Sequence, residues 1–191
     1  MEKHNNPFIF TSSGSKFHIL NPTVDEIILE DIAHALSMIC RYGGHLPNHY
    51  SVAQHSVLGS YIVPKQYAMA MLFHDGSEAY IGDVVTPLKR LMFDVYKPIE
   101  DKIQNIIAEA FGFEVSEECE KEIKKADNIL LATEVRDLVP AKKVFSQLSY
   151  EPLIVPILDL WNKDLAKQRF IDRYLELEND KKKGFLYNEL N

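Results

Sequence analysis

Residues 68–73, AMAMLF, are apolar almost all round, and the next two residues are His74 and Asp75. A segment hydrophobic on every side is a helix buried among other elements, not a surface helix with one wet face. The rest of the chain must therefore supply a shell around it, and most of the remaining pattern is helical. NPTVDEIILEDIAHALSMICRYGG places Ile28, Ile32, Ala35, Leu36 and Ile39 at helical spacing. Thr23 and Glu26 form a capping-box pattern at its start, and Gly43–Gly44 stop it. Ser51 is a candidate N-cap for SVAQHSVLGSYIV, which ends before Pro64. Pro98 and Gly112 bracket IEDKIQNIIAEAFG. SEECEKEIKKADNILLATEVRDLVP has acids in its first turn, as a helix dipole favours. A last amphipathic helix is expected over residues 161–178, with a frayed tail from KKKG. Before all these, residues 7–20 alternate around SSGS as a short hairpin. Residues 140–156, with Pro140, Pro152 and Pro156, read as a loop or short helices. No repeat or linker divides the chain, so the expectation is a mainly α, compact helical bundle with a short N-terminal β-hairpin, one domain over residues 1–191.

Charge narrows the partners. The formal net charge of −7 argues against an extended nucleic-acid surface, though not against a small basic pocket for one phosphorylated molecule. Cys40 and Cys119 are too few for a disulfide framework and lack metal spacing. No apolar run reaches the ~18 residues of a membrane span, and MEKHNNPFIF lacks the apolar core of a signal peptide. A cytoplasmic protein with no membrane partner is the expectation.

Four residues on different predicted helices suit one divalent ion: His55 in VAQHSVL, the adjacent His74 and Asp75, and Asp127 in KKADNILL. Adjacent helical residues point about 100° apart, so His74 and Asp75 share an ion only at its rim. Other helices must close the far side. Each residue has an ordinary alternative. A lone His on an apolar face is more often a hydrogen-bonded core residue, and a helical Asp is usually solvated. Spacing alone leaves the two readings even. Glu78 lies four residues after His74, on the same helical face, and Asp83 follows Gly82. Near metal-activated water, either is a candidate general acid or base. Without those neighbours Glu78 reads as a surface acid and Asp83 as a turn residue.

HDGSEAYIGDVVTPLKR, with His55 before it and Asp127 after it, resembles the HD-domain superfamily of metal-dependent phosphohydrolases. The HD-x-x-E, G-D and T-P-x-K elements resemble its small-domain 5′-deoxynucleotidase branch. DIAHALSMICRYGGH and YSVAQHS are also similar to the phage dATP triphosphohydrolases and to the phosphohydrolase of oxetanocin biosynthesis. The likeness covers about residues 16–140. It implies that His55, His74, Asp75 and Asp127 bind the metal and that Glu78 and Asp83 handle water and the leaving group. It further implies that Arg41 and Lys89 hold phosphate oxygens, to which a guanidinium fork and a compact ammonium are both suited. Tyr42 and Pro87 would border the sugar and base. Tyr42 departs from the Trp that often follows the Arg in these enzymes. All seven His lie at or before position 74. Two-metal members draw extra His from helices between the HD pair and the last Asp, so the resemblance implies one ion, Co²⁺ or Mn²⁺ first, with Fe²⁺, Ni²⁺, Zn²⁺ or Mg²⁺ as alternatives. Glu78 is followed by Ala79, not Asp, which disfavours the alarmone-hydrolysing branch. The expected activity is removal of phosphate from nucleoside 5′-mono- to triphosphates, with a homo-oligomer expected. The alternatives are a non-catalytic nucleotide-binding module and an HD nuclease, the latter opposed by the negative charge.

Overall fold

The computed structural model describes residues 6–140, 149–157 and 159–189, with residues 184–189 described by backbone only. Strands β1 (Phe8–Phe10) and β2 (Lys16–His18) pair antiparallel, Phe8 opposite His18. Buried Asp31 anchors the hairpin turn, accepting hydrogen bonds from Ser12 Oγ, Ser13 N and Ser13 Oγ at 2.6, 2.7 and 2.8 Å. The helices are α1 (Leu29–Met38), α2 (Val52–Gly59), α3 (Ala68–Leu72), α4 (Glu78–Ile81), α5 (Thr86–Leu91), α6 (Phe93–Phe111), α7 (Glu117–Asp137) and α8 (Lys163–Glu189). The architecture is mainly α, with one two-stranded sheet among the described residues. None of the described helices is long and apolar enough to cross a membrane.

Helix α2 is the centre. It packs against α1, α3, α7 and α8, and Val52, Ala53, Gln54, His55, Ser56 and Val57 are all buried. Ser51 caps it as expected, accepting from Gln54 N at 3.1 Å. Around it Ile32, Leu36, Met71, Leu72, Phe73 and Phe170 are fully buried. Each such side chain contributes about 1.5–3 kcal/mol. Phe73 stacks on Phe111 with ring centres 4.3 Å apart and meets Phe170 edge-on. An interior this crowded leaves α2 little freedom to shift, which fixes what it carries.

Several sequence expectations change. The helix expected to run from residue 68 through the HD pair breaks after Leu72 and resumes at Glu78. Between them the chain makes tight turns, Gly76 N to Phe73 O and Glu78 N to Asp75 O. Gly76 permits this, because a Cβ there would sit 2.9 Å from Phe73 O. Gln104 of α6 satisfies the freed backbone, donating to Phe73 O and accepting from Ser77 N. The Thr23–Glu26 pair makes no capping box. Thr23 precedes a 3₁₀ turn without a side-chain cap, and Glu26 binds His18 instead. Helix α1 ends at Met38, before Gly43–Gly44. Pro98 lies inside α6, not at its start. Pro98 is exposed, and so is Asp94, whose carbonyl loses its partner to the missing N–H, so the break in the ladder faces solvent. Helix α5 was not expected, and α8 continues through KKKG to Glu189 where a frayed tail was expected. Of the loop expected over 140–156, residues 141–148 lie outside the described residues.

Candidate metal centre and adjoining cleft

The break after α3 and the buried face of α2 together build the site. His55 of α2 is fully buried, and its Nδ1 lies 2.6 Å from Glu134 Oε1. A carboxylate only accepts, so Nδ1 carries the proton and Nε2 keeps its lone pair. His74, in the turn, does the same: its Nδ1 donates to Met71 O at 2.8 Å. The two Nε2 atoms face each other at 3.3 Å with both ring protons committed elsewhere. Such a pair repels unless a cation, proton or metal, lies with it. Asp75 Oδ2 is 3.1 Å from His74 Nε2 and 3.8 Å from His55 Nε2. Ligands held about 2.1 Å from one ion stand roughly 3.0–3.4 Å apart, so these spacings are near the edges of a coordination polyhedron. His55, His74 and Asp75 could thus hold a metal ion, and no other such group occurs among the described residues. Asp127 of α7 approaches from the side, its Oδ1 3.3 Å from His55 Nε2. It lies outside the mutual cluster.

The charge balance favours a cation. Burial pushes the His74 pKa down, but Asp75 and Asp127 more than offset it and raise it to about 9. Burial raises Asp75, yet His74, His55 and Arg41 hold it well below the usual carboxylate range. Asp127 is brought down to about 2, its burial outweighed by His55 and His74.

A cleft of about 500 Å³ opens beside Asp75 and Asp127, lined also by Arg41, Tyr42, Glu78, Asp83 and Lys89. Nine of the ten residues singled out in the sequence thus gather at one place, counting His55 and His74 behind the wall. Pro87 does not join them: it sits in the exposed first turn of α5, while Thr86 and Val85 face the cleft. Another cleft of about 500 Å³, beside Lys65, Asp180 and Lys181, contains none of the ligand residues. Arg41 reaches across to Asp75 Oδ2 at 3.5 Å. Lys89 is held between Glu78 (3.2 Å) and Glu100 (2.9 Å). Glu78 is buried, and its Oε2 has no hydrogen-bond partner. Burial, Asp75 and Asp83 raise its pKa to about 9 against the pull of Lys89. Burial and Asp75 also raise Asp83, against the pull of Arg41.

Sequence reasoning missed several residues. Arg90, Lys124 and Asn128 also line the cleft. Glu134, fully buried, accepts from Arg41, Tyr42, Tyr50 and His55. Its signal was present: it follows Asp127 by seven residues, two turns along the same helical face, inside the apolar run ILLATEV.

Comparison with other proteins adds kinship. No protein-family model matches the chain. The uncharacterized protein YfdR of Escherichia coli K12 is 42% identical over 158 residues, covering 76% of this chain and 87% of YfdR. The chain belongs to the YfdR family. The uncharacterized protein RCAP_rcc00048 of Rhodobacter capsulatus is 29% identical over 137 residues, covering 66% of this chain and 70% of that protein.

Proposed function

We propose that the protein is a metal-dependent phosphohydrolase of the HD-domain type that removes phosphate from nucleoside 5′-phosphates. One observation carries the reading: Asp75 is shared between the His55–His74 ligand cluster and the guanidinium of Arg41 at the wall of one cleft. Metal ligands and a half-buried cation side by side suit an anionic oxygen bound by both. The resemblance of HDGSEAYIGDVVTPLKR to HD phosphohydrolases supports the same reading. Bound at this cluster, a divalent ion supplies Lewis acidity toward a phosphate oxygen and acidifies water. Co²⁺ and Mn²⁺ are the ions proposed, as the HD resemblance implies; the imidazole and carboxylate donors suit divalent transition metals in general.

The side chains then divide the work. Arg41 offsets negative charge on the transferring phosphoryl group. Asp83 accepts a proton from the attacking water as the new P–O bond forms. Glu78, held protonated, gives its proton to the departing 5′-oxygen as the P–O5′ bond breaks, with Lys89 stabilising the carboxylate left behind. The products from a monophosphate are a nucleoside and inorganic phosphate.

Asp75→Asn and His74→Ala should each lose metal, read by mass-spectrometric metal analysis, and lose phosphate release, read by malachite green over dNMPs, NMPs and dNTPs with Co²⁺, Mn²⁺ and Mg²⁺. With dNTPs, chromatography separates stepwise phosphate release from release of triphosphate. Full turnover by either variant without bound metal would sink the proposal, as would wild-type protein that loads metal and hydrolyses none of these nucleotides.

A further inference from the structure

We infer that Glu134 is a positioning residue that couples the metal centre to the Arg41–Tyr42 corner of the cleft, so that disturbing either is felt at the other. Its carboxylate is fully buried and accepts four hydrogen bonds, two on each oxygen. Oε1 takes His55 Nδ1 at 2.6 Å and Tyr50 Oη at 2.9 Å. Oε2 takes Arg41 Nε at 3.2 Å and Tyr42 Oη at 2.8 Å. A carboxylate has about four lone-pair positions, so this one has no acceptor to spare. One oxygen therefore sets the tautomer and ring orientation of His55, and the other aims the residues that face the anion.

The Arg41 contact uses only Nε, leaving the terminal nitrogens toward Asp75 and the cleft. The Tyr42 contact restrains a strained backbone. Tyr42 has φ +58°, a left-handed conformation that non-glycine residues rarely adopt, and Gly43 follows at +58°. Such strain persists where the surroundings over-determine it. Because the carboxylate is one rigid plane, a shift that restores one pair of bonds strains the other pair. Glu134 and Asp127 also share a face of α7, so the backbone that brings Asp127 to His55 carries the support as well.

This inference rests on the proposed metal and anion site but not on turnover, so binding tests it independently of hydrolysis. Calorimetric titration with Co²⁺, then with inorganic phosphate on the Co²⁺-loaded protein, supplies both affinities. Glu134→Gln turns one oxygen into a donor that faces donors. It should raise the Co²⁺ dissociation constant about 10- to 100-fold. In the metal-free variant, ¹⁵N imidazole shifts should change His55 from the Nδ1–H tautomer to a mixture. Should Glu134→Gln fail to fold, Tyr42→Phe and Tyr50→Phe carry the test, since each removes one donor and no charge. Coupling predicts cross-effects of about threefold or more: Tyr42→Phe weakens Co²⁺ without phosphate present, and Tyr50→Phe weakens phosphate on the loaded protein. Cross-effects within twofold would overturn the coupling, as would a folded Glu134→Gln protein with unchanged Co²⁺ affinity and tautomer. Nucleotides left unhydrolysed by wild type, with these binding shifts intact, would count against the enzyme reading alone.

Discussion

Glu134 and Glu78 are both buried glutamates beside the same cluster of His55, His74 and Asp75, yet their surroundings push their pKa values in opposite directions. Glu134 meets four donors, two of them Arg41 and His55, and these outweigh burial to bring its pKa to about 2. Glu78 meets Lys89 through one oxygen, faces Asp75 and Asp83, and has its other oxygen unpartnered, so its pKa stands at about 9. Burial by itself penalises both carboxylates in the same direction. What separates them is whether donors or acids surround them. The first arrangement suits a fixed support, and the second suits a group that must release a proton.

Turnover is where that contrast has its largest expected effect. Glu78→Gln should lower kcat by roughly 10²- to 10⁴-fold, the usual range for a lost general acid, with metal content kept. Stability should then respond in opposite senses. Glu78→Gln imitates the protonated acid and should leave the melting temperature unchanged or raised. Glu134→Gln breaks a buried charge network and should lose about 3–5 kcal/mol in denaturant unfolding. Equal losses in the two variants would erase the distinction.

Acidity gives a smaller, signed effect in chelator-treated protein. A His74 pKa raised from 6.5 to about 9 on folding adds stability that is complete below pH 6.5 and gone above pH 9. Glu78, raised from 4.5 to about 9, contributes in the same sense over a wider window: its share is complete below pH 4.5 and is lost as pH rises from there to about 9. Glu134, lowered from 4.5 to about 2, adds stability present above pH 4.5 and lost as pH falls toward 2. The melting temperature should therefore fall between pH 6.5 and 9, by less in His74→Ala. A melting temperature that rises across this interval would contradict the assigned states. The least effect belongs to an acid on the outside of α7. Glu122 stands 3.8 Å from Lys125, and Glu122→Gln should change stability by no more than about 0.5 kcal/mol.

Much of this was legible in the chain itself. The apolar run at 68–73, the Ser51 cap and the acids opening α7 led to a mainly α protein with a short hairpin, because caps and helical periodicity are local relations between near neighbours. His55, His74, Asp75 and Asp127 stood out as candidates because imidazoles and carboxylates on apolar faces need partners, but spacing left the reading even and the HD resemblance decided it; the structure gathers the first three into one cluster. Pro87 stands outside the cleft lining, which its motif neighbours Val85 and Thr86 join instead. The break between α3 and α4 was hidden as well. It depends on Gln104, about 30 residues away, accepting and donating to the backbone that the turn frees. Glu134 escaped for the same reason at longer range, since its partners Arg41, Tyr42, Tyr50 and His55 lie 79 to 93 residues earlier. Local pattern in the chain marks most of the helices and the kinds of ligand, though not α5 or the break between α3 and α4. Folding is what drives the pKa values of Glu78 and Glu134 apart, because a buried carboxyl takes its preference from groups brought to it across the chain.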